Sequence, residues 1–143
     1  MIANERGFTL VELLIGAMII SIMGAFAAPQ FGSTLRAYRL NGATKVIWGD
    51  LHKARLMAIK ENRTIKVEFP SGAYEIKRGT DEVVFRRDLT NDFPGITVSI
   101  SGGTISFGGT GTAGGGSKTV QVQNATGSKS FTILTTGRIG NIS

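Results

Sequence analysis

The feature that most constrains this chain is a run of apolar residues close to its N-terminus. From Leu13 to Ala28 the only polar side chain is that of Ser21, and Pro29 follows directly. As a helix, the 21 residues from Phe8 to Ala28 would span roughly 31 Å, about the thickness of the hydrocarbon core of a bilayer. The run therefore predicts a helix that crosses a membrane.

Glu12 is the acidic residue that this prediction has to accommodate. A charge at the centre of a membrane helix costs about 2.5–3.5 kcal/mol, so the carboxylate needs an interface or a partner. If the chain is cut between Gly7 and Phe8, a new α-amino group heads the helix and Glu12 lies four residues on, on the same face. There the carboxylate gains from the positive end of the helix dipole and can neutralise an amine of its own chain or of a neighbouring subunit.

Residues 7–14, Gly-Phe-Thr-Leu-Val-Glu-Leu-Leu, resemble the type III signal of type IV pilins and pseudopilins. The resemblance implies that a prepilin peptidase cuts after Gly7 and methylates Phe8, and that Glu12 serves subunit assembly. Pro29 stands where pilin helices commonly carry a proline. Because a proline cannot donate to the carbonyl of Ala25, we also expect a helix kink there.

An ordinary secretory signal peptide is the alternative. Ala25-Phe26-Ala27 fits its small-x-small cleavage pattern, and Arg6 could supply the basic n-region. Against this alternative, Glu12 would stand at the start of the h-region, and the apolar run is longer than such a region needs.

Charge and cysteine content describe the part of the chain that follows. The chain has no cysteine, so an exported fold must be held by packing alone. The net charge is +6, and beyond Pro29 fifteen Lys and Arg residues face eight Asp and Glu residues. Such a basic domain attracts DNA, anionic lipid or acidic protein surfaces, although a basic surface is also a common route to solubility.

The residues after Pro29 first show a helical period. From Gln30 to about Asn62 the pattern predicts a helix with a buried stripe of Ile47, Leu51, Ala54 and Ala58. Glycines at 32, 42 and 49 weaken a helix, so a break is expected at Leu40–Ala43. Trp48 and Met57 are predicted to pack against a sheet.

The pattern then changes to a period of two, which predicts strands. Glycines 102 and 103 are predicted to form a tight hairpin between the fourth and fifth strands, and residues 108–117 a flexible glycine-rich loop. A helix followed by short antiparallel strands gives an α+β fold: a long N-terminal helix packed on a C-terminal antiparallel sheet domain. The expected domains are a leader (1–7), a membrane helix (8–28) and an outer domain (29–143). The predicted strands are Thr64–Phe69, Ala73–Lys77, Val83–Arg87, Ile96–Ile100, Thr104–Phe107, Thr119–Gln123 and Ser130–Leu134.

Within the superfamily, three dispersed groups of residues are similar to the FimT/GspH minor pilins. They are Ala54-Arg55 with Ala58 and Asn62, then Ile105-Ser106-Phe107 with Gly111, and finally Thr136-Gly137-Arg138.

The sequence shows no enzyme site, cofactor site or metal site. His52 is the only histidine, so a histidine cluster cannot form. Gly116-Ser117-Lys118-Thr119 lacks the glycine before the lysine of a phosphate loop and leads into a strand. We therefore expect a protein that is not an enzyme and has no small-molecule substrate.

The C-terminal residues offer one candidate binding function. In FimT-like pilins of naturally competent bacteria, a C-terminal Gly-Arg-x-Arg is associated with DNA uptake; this chain has Gly137 and Arg138, but Gly140 replaces the second arginine. A GspH-like pseudopilin of type II secretion carries a similar Gly-Arg, so Arg138 alone does not decide between them. Lys118, Lys129, Arg86 and Arg87 are further candidates for a basic patch.

Two functions follow from these expectations. The first is a minor pilin or pseudopilin that primes or caps a type IV pilus or a type II secretion pseudopilus, with other pilins and the prepilin peptidase as partners. The second is a pilus-associated receptor that binds DNA without sequence preference. Either would be a single-pass inner-membrane protein with its C-terminal domain in the periplasm, later assembled into the filament.

Overall fold

A computed structural model describes residues 7–79 and 81–143, except for the side chains of residues 27–30. The first element is the helix α1, Leu10–Glu61, of 52 residues. It runs through Leu40–Ala43 without interruption, so the predicted break is wrong; Ala43 and Thr44 are buried there, and this packing outweighs the low helix propensity of Gly42. The leader residues 1–6 lie outside the described residues, as does the side chain of Pro29, so the kink there stays a prediction.

Seven strands and one short helix follow α1. The sequence located all seven strands to within three residues at each end, and it missed the four-residue helix, which Asp88 caps by accepting the amide N–H groups of Thr90 and Asn91. The elements are β1 (Ile65–Glu68), β2 (Ala73–Arg78), β3 (Glu82–Asp88), α2 (Leu89–Asp92), β4 (Thr97–Ser101), β5 (Ile105–Phe107), β6 (Lys118–Asn124) and β7 (Gly127–Ile133).

The strands form two antiparallel sheets. The first has the order β3-β2-β1-β5, and the second has the order β4-β6-β7. Because β4 pairs with β6 and β5 pairs with β1, the predicted hairpin at Gly102–Gly103 is wrong. These glycines instead carry the chain from one sheet to the other.

The chain divides into two compact units, one ending at Leu35 and one comprising Arg36–Ser143. All buried side chains of the described residues lie in the second unit, and the buried hydrophobic ones other than Ala73 form one cluster. The stripe of Ile47, Leu51, Ala54 and Ala58 is buried there, as predicted, and Trp48 and Met57 pack against it while remaining partly exposed. A long N-terminal helix with antiparallel sheets confirms the α+β fold.

Backbone hydrogen bonds hold the glycine-rich loop between β5 and β6 at several positions. The amide N–H of Gly108 donates to the carbonyl of Thr112, that of Ala113 to Thr135, and that of Gly114 to Ser106. The last residues are likewise fixed, since Ser143 exchanges two backbone hydrogen bonds with Ser130. These hydrogen bonds hold the loop against β5 and the C-terminal residues, which the glycine content alone did not indicate.

Candidate processing motif and C-terminal turn

The N-terminal motif starts α1 with a reciprocal cap. Thr9 directly precedes the helix, and its carbonyl accepts the first helical hydrogen bond, from the amide N–H of Leu13. The amide N–H of Glu12 donates to the Thr9 hydroxyl oxygen (3.3 Å), while the amide N–H and the hydroxyl of Thr9 both face the Glu12 carboxylate, at 3.5 and 3.4 Å. This is a capping box of the form Thr-x-x-Glu.

The box places the Glu12 carboxylate beside the predicted cleavage point. In the sequence only one residue, Thr9, separates the helix start from Phe8, and the Phe8 side chain is 85% exposed. Cleavage after Gly7 would thus create an amine next to a carboxylate that is already held at the helix start. The capping pattern is readable in the sequence, but the sequence analysis did not use it.

The helix that follows presents an unbroken apolar surface in the isolated chain. The hydroxyl of Ser21 donates a hydrogen bond to the carbonyl of Ala17 at 2.8 Å, so this polar group does not interrupt the surface. Among the described residues no single helix is long and apolar enough by itself to cross a membrane. Two parts of α1, Leu10–Phe26 and Phe31–Glu61, do meet this requirement of length and composition when they are taken together as a bent pair. The large apolar side chains exposed between residues 8 and 26 are Phe8, Leu10, Val11, Leu13, Leu14, Ile15, Met18, Ile19, Ile20, Ile22, Met23 and Phe26.

The other end of α1 closes with a left-handed residue. Asn62 has φ +48°, the amide N–H of Arg63 donates to the carbonyl of Ala58, and that of Asn62 to the carbonyl of Ile59. These two bonds define a Schellman motif, with asparagine in the place that glycine usually takes.

The three dispersed groups of the FimT/GspH resemblance meet at this helix end. The guanidinium Nε of Arg55 donates to the carbonyl of Gly111 at 2.9 Å. A Cβ on Gly109 would lie 2.4 Å from the amide oxygen of Asn62, and a Cβ on Gly137 would lie 1.7 Å from the carbonyl oxygen of Gly111. We call Arg55, Asn62, Gly109, Gly111 and Gly137 the helix-end joint; its glycines are required by the close approach of three chain segments.

The structure places the predicted cationic residues in different environments. Arg138 is exposed on the turn after Gly137, and Lys129 is half-buried on β7. Lys118 is 3% exposed and donates its ammonium protons to the carbonyls of Gly102 and Gly115, so its predicted place in a surface patch is wrong. Arg86 and Arg87 are engaged in ion pairs with Glu75, Asp50 and Asp92.

The turn that carries Arg138 lies beside a second cation, Arg55. A Cβ on Gly137, the residue before Arg138, would lie 3.0 Å from Nε of Arg55. Among the ion pairs of the described residues, neither arginine has a carboxylate partner. Gly140 fills a different role: its carbonyl accepts the indole N–H of Trp48 at 2.9 Å, and its Cα side abuts the backbone of Thr132.

A buried carboxylate, which the sequence did not reveal, joins α1 to the first sheet. Asp50 is 4% exposed and accepts hydrogen bonds from the Tyr74 hydroxyl, from Lys53 (3.1 Å) and from Nε of Arg87 (3.2 Å). Burial acts to raise the pKa of Asp50, but the hydrogen bonds from Tyr74 and Lys53 and the charge of Arg87 outweigh it and lower the pKa below the ordinary 3.8. Burial and the bond to Asp50 raise the pKa of Tyr74, which therefore stays protonated as the donor.

His52 packs beside an aromatic ring, and its Nε2 is buried without a hydrogen-bond partner among the described residues. Its ring lies 4.2 Å from that of Trp48, and burial together with the charge of Arg55 lowers its pKa below 6.5, so it is neutral at pH 7. No group of His, Asp or Glu side chains within 7–79 and 81–143 is arranged to hold a metal ion.

Comparison with known proteins assigns the family. The family model described as type II transport protein GspH matches residues 43–137, from the buried stripe of α1 to the turn before Arg138. The chain belongs to the GspH family. A second model, the prokaryotic N-terminal methylation motif, matches residues 2–28. These matches confirm both resemblances noted in the sequence.

Solved structures show the same fold. The type IV minor pilin FimU of Pseudomonas aeruginosa PAO1, in one crystal form, aligns with a TM-score of 0.63 and 18% identity over 72% of this chain and 87% of the FimU chain. A second crystal form of FimU gives a TM-score of 0.61 and 17% identity over 73% and 92% of the two chains. A search of curated proteins returned no significant match. The N-terminal motif and helix are thus consistent with a membrane-anchored pilus component.

The helix-end joint predicts a specific sensitivity at Gly137. Gly137→Ala combines a positive φ of +77° with a Cβ that overlaps the carbonyl of Gly111, whereas Gly103→Ala has a similar φ of +78° and no atom within 4 Å. Both substitutions carry the left-handed cost of about 1–2 kcal/mol, and we expect overpacking to add about 1–3 kcal/mol at Gly137 alone. Urea unfolding of residues 36–143, which contain the whole described core, measures the difference; equal destabilisation would contradict the joint.

The Asp50 network predicts a loss of stability in acid. Because the folded pKa of Asp50 is depressed, its contribution is fully present above 3.8 and is lost as the pH falls through the lower folded value. Asp50→Asn should therefore lower the free energy of unfolding at neutral pH by about 1–3 kcal/mol and flatten its fall in acid. Asp81→Asn, on the exposed β2–β3 turn, is the control and should change neither; a wild-type acid slope in Asp50→Asn would contradict the network.

Proposed function

We propose that this chain is a minor pilin or pseudopilin, a structural subunit that primes or caps a type IV pilus or a type II secretion pseudopilus. In this proposal a prepilin peptidase hydrolyses the bond between Gly7 and Phe8 and methylates the new amine. The apolar segment first holds the chain in the inner membrane, with the domain in the periplasm, and later packs among the helices of other pilins.

The observation that carries the proposal is the position of Glu12 in the capping box. Its carboxylate lies at the start of a helix whose apolar side chains have no partner in the isolated unit, and membership of the GspH family supplies the context. In a filament, the carboxylate can exchange the Thr9 donors for the amine of a neighbouring subunit. That exchange replaces hydrogen bonds from neutral donors with an ion pair between two charged groups in an apolar setting.

Nothing in this arrangement calls for catalysis. The buried Asp50 and Tyr74 and the half-buried Arg87 bind one another between α1 and the first sheet. We therefore propose a structural role, with other pilins and the processing peptidase as partners.

Two variants separate the capping role of Glu12 from its assembly role. Glu12→Gln keeps an oxygen that can accept from Thr9 but removes the charge, so we expect the helix start to persist and incorporation to fail. Thr9→Ala removes the hydroxyl of the box at about 1 kcal/mol and keeps the charge, so incorporation should continue. The measurement is the amount of chain recovered with sheared filaments or pseudopili. Normal recovery of Glu12→Gln, or equal loss in both variants, would contradict the assembly role.

Binding of DNA is the second candidate, supported by the exposed Arg138 and its neighbour Arg55. Two guanidinium groups without carboxylate partners flank one turn, which suits contact with phosphates. Lys129, on β7, is a further candidate contact, and Lys118 is replaced by Arg55 in this proposal.

A mobility-shift titration of residues 36–143 with duplex DNA at two salt concentrations tests this candidate. Arg138→Gln should weaken binding about equally for all sequences and reduce the salt slope by about one. Lys66→Gln, which removes one charge from β1, is the control. Absence of binding at low salt, or equal weakening by the two variants, would remove the candidate.

A further inference from the structure

The acidic residues of the second unit are confined to one stretch of its sequence. All eight acidic residues of this unit lie between Asp50 and Asp92, and six of them are in ion pairs: Asp50, Glu61, Glu68, Glu75, Glu82 and Asp92. Residues 13–49 and 93–143 contain no acidic residue. The cations of these two stretches therefore have no acidic residue within their own part of the sequence.

The stretches meet where the second unit begins. The side-chain amide of Asn124 donates to the carbonyl of Arg36 at 2.8 Å, and Nε of Arg36 donates to the hydroxyl of Thr126 at 3.3 Å. The turn between β6 and β7 is therefore held against the first residue of the unit. Asn124 also accepts the amide N–H groups of Thr126 and Gly127, which fixes the shape of the turn.

Three cations and one aromatic ring share this end. Arg39 lies almost one helical turn beyond Arg36, and Lys129 lies two residues after the turn, on β7. Tyr38 is 75% exposed, although tyrosine rings are on average partly buried. We call Arg36, Tyr38, Arg39, residues 124–127 and Lys129 the basal surface.

We propose that the basal surface rests on the anionic lipid headgroups of the bilayer that holds the N-terminal helix. The inference rests on the proposed function, since it requires that helix to enter a membrane. Arg36 is the first residue of the second unit, and only seven residues separate it in sequence from the predicted membrane helix, 8–28.

The chemistry of the surface matches an interface. Basic residues next to a membrane segment are attracted to anionic lipid, and exposed tyrosines are enriched at the headgroup level. The rigid attachment of the β6–β7 turn to Arg36 brings Lys129 into this set from a distant part of the sequence. Lipid contact would hold the domain on the membrane until assembly draws the subunit out.

The test uses the full chain in lipid nanodiscs of phosphatidylcholine, with or without phosphatidylglycerol. Because the described residues contain no cysteine and the sequence has none, Ala125→Cys gives a single label on the exposed turn. Energy transfer from this label to a headgroup-labelled lipid reports docking. We expect stronger transfer with phosphatidylglycerol and a decrease at high salt.

Matched variants make the test specific. Removing the three charges with Arg36→Gln, Arg39→Gln and Lys129→Gln should lower the docked-to-undocked ratio by roughly 100-fold, at roughly fivefold for each cation. Lys60→Gln, Arg63→Gln and Lys66→Gln remove the same charge near the other end of the helix and should leave transfer unchanged. Near-ultraviolet circular dichroism of Trp48 checks that both variants are folded.

Each outcome has one meaning. A chain that enters nanodiscs but shows equal transfer in both lipids, or equal loss in the two triple variants, overturns the lipid contact and leaves the anchor intact. A chain that does not enter nanodiscs overturns the anchor and the lipid contact together. If transfer does not depend on lipid while the basal variant loses binding of duplex DNA, the surface belongs to nucleic acid and the proposal is wrong.

Discussion

The buried stripe of α1 is the contact on which the rest of the structure depends. Ile47, Leu51, Ala54 and Ala58 belong to one cluster with inward side chains of both sheets. Two of the four are alanines, whose small side chains let the neighbouring segments approach the helix closely. With no disulfide in the chain, this packing and the polar bonds around it hold the domain together.

Polar contacts then fix how the first sheet meets the helix. Asp50 binds Tyr74 and Arg87 midway along the buried part of α1, and Glu61 receives a bidentate pair of bonds from Arg78 at its end. The helix-end joint adds the glycine-rich loop and the C-terminal turn to the same helix. Sequence similarity to the GspH family therefore marks a place where chain segments approach closely, and Arg138 extends from a turn that the fold itself requires.

Local patterns were sufficient to predict the elements of this fold. The alternation of apolar residues such as Ile65 and Val67 with polar ones such as Glu68 located the strands. The helical spacing of Ile47 and Leu51 located the buried face of α1. What failed depended on distant partners. Gly102 and Gly103 have the positive φ values of a hairpin turn, but β4 pairs with a strand that lies beyond the glycine-rich loop.

The site was predicted in the same uneven way. Gly7, Phe8 and Glu12 could be named because their motif is contiguous, and their roles stay predictions. The cap formed by Thr9 was readable in the sequence, although it was not used. Burial of Lys118 could not be inferred, because its partners Gly102 and Gly115 are brought to it only by the crossover between the sheets. Asp50 and Tyr74 are separated by 24 residues and carry no pattern that links them.

The mass of the mature chain distinguishes the two interpretations of the N-terminus, a pilin-type signal and an ordinary secretory signal peptide. The measurement is the intact mass of the chain purified from membranes of cells that contain a prepilin peptidase. Our account predicts loss of residues 1–7 and gain of one methyl group on Phe8. A chain that instead begins at Ala28, after Ala25-Phe26-Ala27, would show an ordinary signal peptide and contradict the assignment of the helix to a filament.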